Sequence, residues 1–193
     1  EEDDYLQLHV DIETSLKMSI ECYNVCKSVG GASTNNNKLK ERLGNAWNEL
    51  GVYYKHTAAT GTEQDYSAKT SLCDESYKCI IKGLTLFKET GSVPNQALLN
   101  ANLGSLSRLL AAIEHQKQVK EGGGAEFSSE ERSHYNRSID YYNKGKTLLK
   151  RSSNHPTIWL NIEMDLCNVY YEFGRAIQDR PPLSRVSVQE VLH

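Results

Sequence analysis

Two residue patterns alternate along this chain of 193 residues, and they constrain its fold more than any other feature. The first is a Leu followed by a small residue, and it occurs at Leu50 and Gly51, at Leu103 and Gly104, and at Leu166 and Cys167. The second is a small residue, a large one four positions later and a small one three positions after that: Ser19, Tyr23 and Cys26; Ser76, Ile80 and Gly83; Ser138, Tyr142 and Gly145. Packed helical hairpins need this combination, because small residues let two backbones approach and large ones fill the gap beside them.

Around both patterns, apolar residues recur every three or four positions, which is the period of one face of an α-helix. This period predicts helices at about 3–28, 37–60, 65–90, 95–118, 128–152 and 156–179, with almost no strand. Turn-forming Gly, Asn and Pro residues separate them. Ser128 and Glu131 are spaced as a capping box at the start of the fifth helix. The stretch SVQEVLH, residues 187–193, resembles a helix cut short.

These helices resemble the tetratricopeptide repeat (TPR), a helical hairpin whose first helix carries Trp, Leu, Gly and Tyr at fixed spacing. We therefore predict an all-α, TPR-like fold, a right-handed α-solenoid of antiparallel helix pairs with six or seven helices, in one domain over residues 1–193. The alternative is a helical bundle with no repeat history. The residues predicted to pack the repeats are Trp47, Leu50, Gly51, Tyr54, Leu103, Gly104, Leu166, Tyr170, Tyr23, Ile80 and Tyr142.

The repeat length departs from that type. A TPR is about 34 residues long, whereas Gly51, Gly104 and Cys167 are 53 and 63 residues apart. Long helices and inserted loops such as GGASTNNN and KEGGGAEF would account for the excess.

Composition limits the function classes. A net charge of -3 gives no general electrostatic attraction to nucleic acid or to anionic membranes. No run of 18 apolar residues is present, so we expect no membrane association. Five Cys, an odd and thinly spread number, favour the reducing interior of a cell.

The search for reactive chemistry predicts no catalytic site, no metal site and no cofactor. Cys22 and Cys26 share a helix face, but no His or second Cys pair lies at ligand spacing nearby, so we expect them to be small packing residues. The six His are scattered, with no nucleophile set beside them by any motif. We predict a protein that is not an enzyme.

One charged feature points to a different class of function. Arg137, Lys144 and Arg151 stand seven residues apart on one helix face and would form a basic face suited to phosphates. Asp140 interrupts this row, and the outer face of a helix is normally charged and solvated. A nucleic-acid-binding helical repeat is therefore the alternative to a protein-binding one.

Several segments are more specific than a general repeat pattern. NAWNELGVYY, ALLNANLGSLSRLL, FSSEERSHYNRSIDYYNKGKTLL, HPTIWLNIEMDL and PLSR resemble, in this order, the C-terminal TPR region of the erythroid differentiation-related factor 1 family. The resemblance covers roughly residues 40–185. Because the chain starts and ends inside the helix alternation, we expect it to be a fragment of a larger protein. It implies a nuclear protein that regulates transcription in red-cell differentiation and globin expression, through an effect on a GATA-type zinc-finger activator.

A stack of helical pairs makes a concave groove lined by the first helix of each pair, which suits an extended or helical peptide. We predict that a protein or peptide partner binds there and that direct DNA binding is absent, since no zinc finger, homeodomain or basic zipper is present. The polar set also departs from the Lys and Asn pattern of TPR clamps that hold a C-terminal carboxylate. The candidate groove residues are Asn45, Asn48, Val52, Asn102, Ser105, Arg108, Asp165 and Asn168.

Overall fold

The computed structural model describes residues 2–29, 36–61, 65–122, 126–149 and 155–180, and within these ranges it contains helices and no strand. The helices are α1 (Glu2–Val29), α2 (Asn36–Thr60), α3 (Tyr66–Thr90), α4 (Val93–Lys120), α5 (Ser129–Leu148) and α6 (Pro156–Asp179). The predicted all-α helical repeat is confirmed. The stretch at 187–193 lies outside the described residues.

Each helix packs against its neighbour in the chain, and the even-numbered helices also contact one another. In addition to the consecutive pairs, α2 contacts α4 and α4 contacts α6. The even helices α2, α4 and α6 therefore form one layer. On the other side, α3 lies between α2 and α4, α5 lies between α4 and α6, and α1 packs against α2, which is the alternation that the two sequence patterns predict.

The closest approach between α2 and α3 lies at Gly51. A Cβ atom there would be 2.6 Å from Ile80 Cγ1 and 3.1 Å from the backbone oxygen of Ser76, so no larger residue fits without movement. Ser76 Oγ donates a hydrogen bond of 2.7 Å to the Gly51 carbonyl oxygen, and both side-chain and backbone groups are buried. Farther along the same pair, a Cβ on Gly83 would lie 2.8 Å from the carbonyl oxygen of Gly44.

The contact between α4 and α5 repeats this arrangement residue by residue. A Cβ on Gly104 would lie 2.8 Å from the ring of Tyr142, and Ser138 Oγ donates a 2.7 Å hydrogen bond to the Gly104 carbonyl oxygen. A Cβ on Gly145 would lie 2.9 Å from the carbonyl oxygen of Ala97, the counterpart of Gly44. Because the small residues meet the same partners in both pairs, the two hairpins are copies of one packing unit.

The remaining predicted packing residues differ in burial. Leu50, Tyr54, Leu103, Leu166, Ile80 and Tyr142 are buried. Trp47 and Tyr23 are half-buried at the α1 end, where Lys82 Nζ lies 4.1 Å from the centre of the Trp47 ring. Tyr170 is 52% exposed, so its prediction as a packing residue is wrong, because no described helix covers that side of α6.

Tyr54 also shows how α1 is attached. Its hydroxyl donates a 2.8 Å hydrogen bond to Glu13 Oε1 on α1, and Ile20 of the same helix is buried against Leu43 and Leu50. Cys22 and Cys26 are both exposed. The prediction that they are small packing residues is therefore wrong, because α1 packs against α2 alone among the described helices and leaves its far side open.

A buried ion pair connects the start of α5 to the end of α6. Both oxygens of Glu131 accept hydrogen bonds of 2.7 Å from the Arg180 guanidinium, and the Glu131 side chain is 1% exposed. Arg180 also lies over the ring of Phe127. Only half of the predicted capping box forms: Ser128 Oγ accepts from the Glu131 backbone N–H at 3.1 Å, but the Glu131 carboxylate pairs with Arg180 instead of returning to the Ser128 N–H.

We predict that Gly51→Ala lowers the free energy of unfolding by about 1–3 kcal/mol, because the added methyl group overlaps Ile80 and the Ser76 backbone. Urea denaturation measures this change. The control is Asn45→Ala, an exposed position on the same helix, which should stay within about 0.5 kcal/mol of the wild type. Equal stabilities of the two variants would show that α2 and α3 are not in close contact at Gly51.

We predict that Arg180→Ala lowers the free energy of unfolding by about 3–5 kcal/mol, because it leaves the Glu131 carboxylate buried and unpaired. Arg175→Ala, which breaks the solvent-exposed pair with Asp179 on α6, should change it far less, because water screens that pair. Replacing both partners, as Glu131→Met with Arg180→Met, should recover most of the loss. A double variant as unstable as Arg180→Ala would contradict this explanation.

Candidate functional site

The even helices present a mixed polar surface, which we call the even-helix face. It consists of Asn48, Val52 and Lys55 from α2, Asn102, Ser105 and Arg108 from α4, and Asp165, Asn168 and Glu172 from α6. Because α4 contacts both α2 and α6, residues of three separate helices form one continuous surface. Seven of the eight predicted groove residues belong to it.

Two hydrogen bonds join α2 to α4 across this face. Asn102 Nδ2 donates to Asn48 Oδ1 at 2.8 Å, and Lys55 Nζ donates to Ser105 Oγ at 3.1 Å. Asn48 is only 6% exposed, because it lies where the two helices meet. Its side chain therefore holds the helices together and is not open to a partner, which corrects its prediction as a groove residue.

The junction of α4 and α6 carries charges of both signs. Arg108 Nε lies 3.8 Å from Glu172 Oε2, and Asp165 is half-buried close by. Tyr142 of α5 extends between these helices, and its side chain is fully buried. Burial raises the pKa of its hydroxyl, and the negative charge of Asp165 raises it further. Tyr142 therefore stays neutral and serves as packing behind the face.

Lys55 is the unusual charge on the even-helix face. Burial lowers the pKa of its ammonium group, the positive charge of Arg108 lowers it further, and Asp165 opposes both effects. The bond to Ser105 Oγ is the one hydrogen bond of the Lys55 ammonium group among the described residues. The fold thus holds a half-buried cation that has no adjacent carboxylate within salt-bridge distance in this part of the chain.

An apolar cleft of about 650 Å³ continues the face toward α1. The residues that line it are Ile12, Ser15, Leu16, Glu49, Val52, Tyr53 and His56. Among these, sequence reasoning identified only Val52. The signal that it missed is the apolar pair Ile12 and Leu16, four residues apart on α1, which faces α2 at the same level.

The other two predicted groove residues are placed less centrally. Asn45 and Asn168 are both exposed, and neither side chain makes a hydrogen bond to any described residue. Asn168 lies on the even-helix face beside Asp165. Asn45 lies one turn before Asn48, beyond the contacts that join α2 to α4, and the structure does not bring it together with the rest.

The predicted basic face lies on α5, in the other layer. Arg137 and Lys144 are exposed, Lys144 Nζ lies 5.1 Å from the centre of the Tyr141 ring, and Arg151 falls outside the described residues. Asp140 is also exposed between them. The neighbouring Lys146 does not extend this row, since it forms a 2.8 Å ion pair with Glu163 of α6.

The described part of the chain contains side chains of the kinds that bind metal ions or act as nucleophiles. Among the described residues, no cluster of three or more His, Cys, Asp and Glu is arranged to hold a metal ion. Burial raises the pKa of both Cys73 and Cys79 to about 11, so these thiols remain protonated and are poor nucleophiles. Within the described ranges, no helix is both long enough and apolar enough to cross a membrane.

We predict that Lys55→Met increases the free energy of unfolding at pH 7, because it removes a charge that burial and Arg108 disfavour. The folded-state pKa of Lys55 is lowered below its ordinary value of 10.5, so the unfolded chain binds more protons and wild-type stability rises with pH toward 10.5. The advantage of the variant should therefore shrink at alkaline pH. Urea denaturation at several pH values measures this, with exposed Lys88→Met as the control.

A stability of Lys55→Met below that of the wild type at pH 7 would contradict this account. It would mean that the bond from Lys55 to Ser105 outweighs the burial of the charge.

Comparison with known proteins agrees with this architecture. The family model described as "Erythroid differentiation-related factor 1-like, TPR repeats" matches residues 39–193. Proteins named erythroid differentiation-related factor 1 are similar to the chain: it is 31% identical to that of Homo sapiens over 201 residues, and 29% identical to that of Mus musculus over 197 residues. Each match covers 95% of this chain but 16% of the relative's length. The chain belongs to the erythroid differentiation-related factor 1-like family of TPR proteins.

Proposed function

We propose that the even-helix face binds a segment of another protein, so that this chain is a non-enzymatic interaction scaffold. The observation that carries the proposal is the arrangement around Lys55. The half-buried ammonium group of Lys55 reaches from α2 to Ser105 on α4. Polar side chains of α4 and α6 lie on one side of it, and the apolar cleft that Val52 lines lies on the other. TPR repeats generally mediate protein interactions, which supports the same conclusion.

The chemistry of the face defines the segment that it would bind. The cleft beside Val52 accepts an apolar side chain, and Lys55 and Arg108 favour a carboxylate next to it. A carboxylate near Lys55 would replace some of the stabilisation by water that burial removes from the ammonium group. We therefore expect a peptide with a large apolar residue followed or preceded by Asp or Glu, bound in an extended or helical form.

We also propose a nuclear location and a role in regulating transcription. The support is the family, since the similar human and mouse proteins carry the name of a differentiation factor. The chain corresponds to 16% of the length of these relatives, so the activity of the whole protein is part of the proposal. In this scheme the chain contributes the contact with a protein partner, and it does not contact DNA itself.

Site-specific photo-crosslinking in the complete protein tests the binding face. A photoreactive phenylalanine analogue replaces Glu49 or Asn168, which are exposed on the even helices, or Arg137, which is exposed on α5. We expect crosslinks to a partner protein from the first two positions and not from Arg137. Crosslinks from Arg137 alone would contradict the proposal, and crosslinks to nucleic acid from that position would support the basic face instead.

A charge exchange tests the role of Arg108. We predict that Arg108→Glu combined with Glu172→Arg keeps the chain folded, because the pair is restored in reverse, and reduces crosslinking from Asn168 about tenfold, equivalent to about 1.4 kcal/mol. Arg137→Glu makes the same charge change on α5 and should leave crosslinking unchanged. Circular dichroism checks that both variants are folded. Full crosslinking by the exchanged pair would show that Arg108 does not contact the partner.

A further inference from the structure

The hydroxyl group of Tyr142 is a buried polar group without a partner in the fold. The Tyr142 side chain is 0% exposed, and its Oη atom makes no hydrogen bond to any described residue. A buried hydroxyl in this state costs free energy, because folding removes the water that it would otherwise bind. The hydroxyl therefore needs an explanation other than stability.

The equivalent residue of the preceding helical pair shows that packing does not require this hydroxyl. Ile80 and Tyr142 each stand four residues after the Ser that bonds to the packing glycine. Both are 0% exposed, and each lies against its glycine, Ile80 against Gly51 and Tyr142 against Gly104. An apolar residue is thus sufficient at this position, and the Tyr142 hydroxyl is an addition to it.

The hydroxyl lies between α4 and α6, behind the even-helix face. A Cβ atom on Gly104 would be 3.0 Å from Tyr142 Cζ, which is the ring carbon that carries the hydroxyl. The ring also belongs to the same buried cluster as Leu166 of α6. The phenol ring therefore reaches from α5 through the core to the back of the α4–α6 junction.

Polar groups of both helices surround the hydroxyl at this junction. Burial is the main cause that raises the pKa of Tyr142, Asp165 raises it further, and Arg108 and Ser105 lower it. Ser105 Oγ accepts a proton of Lys55, and the two hydroxyl groups of Ser105 and Tyr142 do not meet the geometry of a hydrogen bond. The Tyr142 O–H is therefore a donor that no neighbouring side chain uses.

The neighbours also have hydrogen-bonding capacity left. The Arg108 side chain is 32% exposed, and its Nε lies 3.8 Å from Glu172 Oε2, which is longer than a hydrogen bond, so this pair holds the guanidinium only weakly. Asp165 is half-buried and makes no hydrogen bond or ion pair with another described residue. The junction thus presents two donors, Tyr142 and Arg108, next to one acceptor, Asp165.

A carboxamide matches this set of groups better than a carboxylate does. It carries one oxygen that accepts and one NH2 group that donates. A carboxylate would accept from Tyr142 and Arg108, but the negative charges of Asp165 and Glu172 would repel it. The amide of a peptide backbone would stay at the surface, whereas the Tyr142 oxygen is buried behind the face, so a side chain has to carry the ligand group.

We propose that the α4–α6 junction is a subsite for an Asn or Gln side chain of the bound segment. This inference rests on the proposed function of the even-helix face. A change in the rotamer of Arg108 opens the junction, the amide oxygen then accepts from the Tyr142 hydroxyl and the guanidinium, and the amide NH2 donates to Asp165. Because Tyr142 is satisfied only in the complex, its hydroxyl discriminates against side chains that lack the amide.

Tyr142→Phe removes the hydroxyl and leaves the ring in place. We expect the urea midpoint of this variant to equal or exceed that of the wild type, because the free chain loses no hydrogen bond. A lower midpoint would overturn the proposal, since the hydroxyl would then be bonded within the fold.

Peptide selection tests the contact itself. A library of random peptides is selected by phage display on the chain of residues 1–193, and peptides that still bind an Asn168→Trp variant are removed, because Asn168 lies beside the junction. At one peptide position we expect Asn and Gln to be enriched about fivefold on the wild type and not on Tyr142→Phe, with the apolar and acidic preferences retained. Tyr77→Phe makes the same change on exposed α3 and should select as the wild type does.

Equal enrichment of Asn and Gln on the wild type and on Tyr142→Phe would overturn the amide subsite and leave the proposed function standing. A library that yields no peptide dependent on the even-helix face would overturn the proposed function, and the subsite with it. Asp165→Ala removes the acceptor and a repelling charge, so we expect selection at that position to change from Asn and Gln to Asp and Glu. An unchanged preference would contradict the role of Asp165, and circular dichroism checks that each variant is folded.

Discussion

The close approach of one helix to the next at a glycine is the contact on which the rest of this structure depends. At Gly51 and at Gly104 the even helix offers a bare backbone, and a Ser hydroxyl from the odd helix donates to that same glycine's carbonyl oxygen at 2.7 Å. The hydrogen bond satisfies the Ser hydroxyl in a place that water cannot reach, and a large residue, Ile80 or Tyr142, fills the space beside it. Any larger residue at the glycine would push the helices apart and leave that hydroxyl unpaired.

The close approach at the glycines also determines where the even-helix face lies. When each odd helix is held tightly against one side of an even helix, the even helices are brought beside one another, and their remaining polar side chains meet. Asn102 reaches Asn48 and Lys55 reaches Ser105 because α2 and α4 are placed in this register by α3, which lies between them. The even-helix face is thus a consequence of packing on the opposite side of the same helices. A substitution at Gly104 would alter the spacing of the helices, and so the arrangement of this face, without replacing any of its residues.

Sequence reasoning predicts the helices and the packing glycines because both depend on local spacing, which three imperfect copies of one pattern make visible. It also places Ser105 and Arg108 on the even-helix face, since position on the helix is enough for that, and their contact with a partner stays a prediction. It does not show that Asn48 lies in a junction between helices or that Glu131 pairs with Arg180, which is 49 residues away. Those facts depend on the angle and register between separate helices. The spacing of a capping box does not decide whether the Glu131 carboxylate accepts from the Ser128 N–H or from the Arg180 guanidinium. Tyr170 shows the same limit, because the helix position that is buried at Tyr54 and Ser107 is exposed at Tyr170, where no described helix covers it.

The Glu131–Arg180 pair and Lys55 are ionic groups that the fold takes out of water in different ways. Glu131 and Arg180 satisfy each other through two hydrogen bonds, with the guanidinium also resting on an aromatic ring, so their charges are compensated within the fold. Lys55 lies between α2 and α4 without a carboxylate partner within salt-bridge distance among the described residues, and the second cation, Arg108, is close to it. Because burial and Arg108 disfavour this charge, we expect it to lower stability, and a residue of that kind is typical of a functional site. A partner that supplies a carboxylate would account for Lys55, and for this reason we propose the even-helix face, rather than the exposed charges of α5, as the surface that binds a partner.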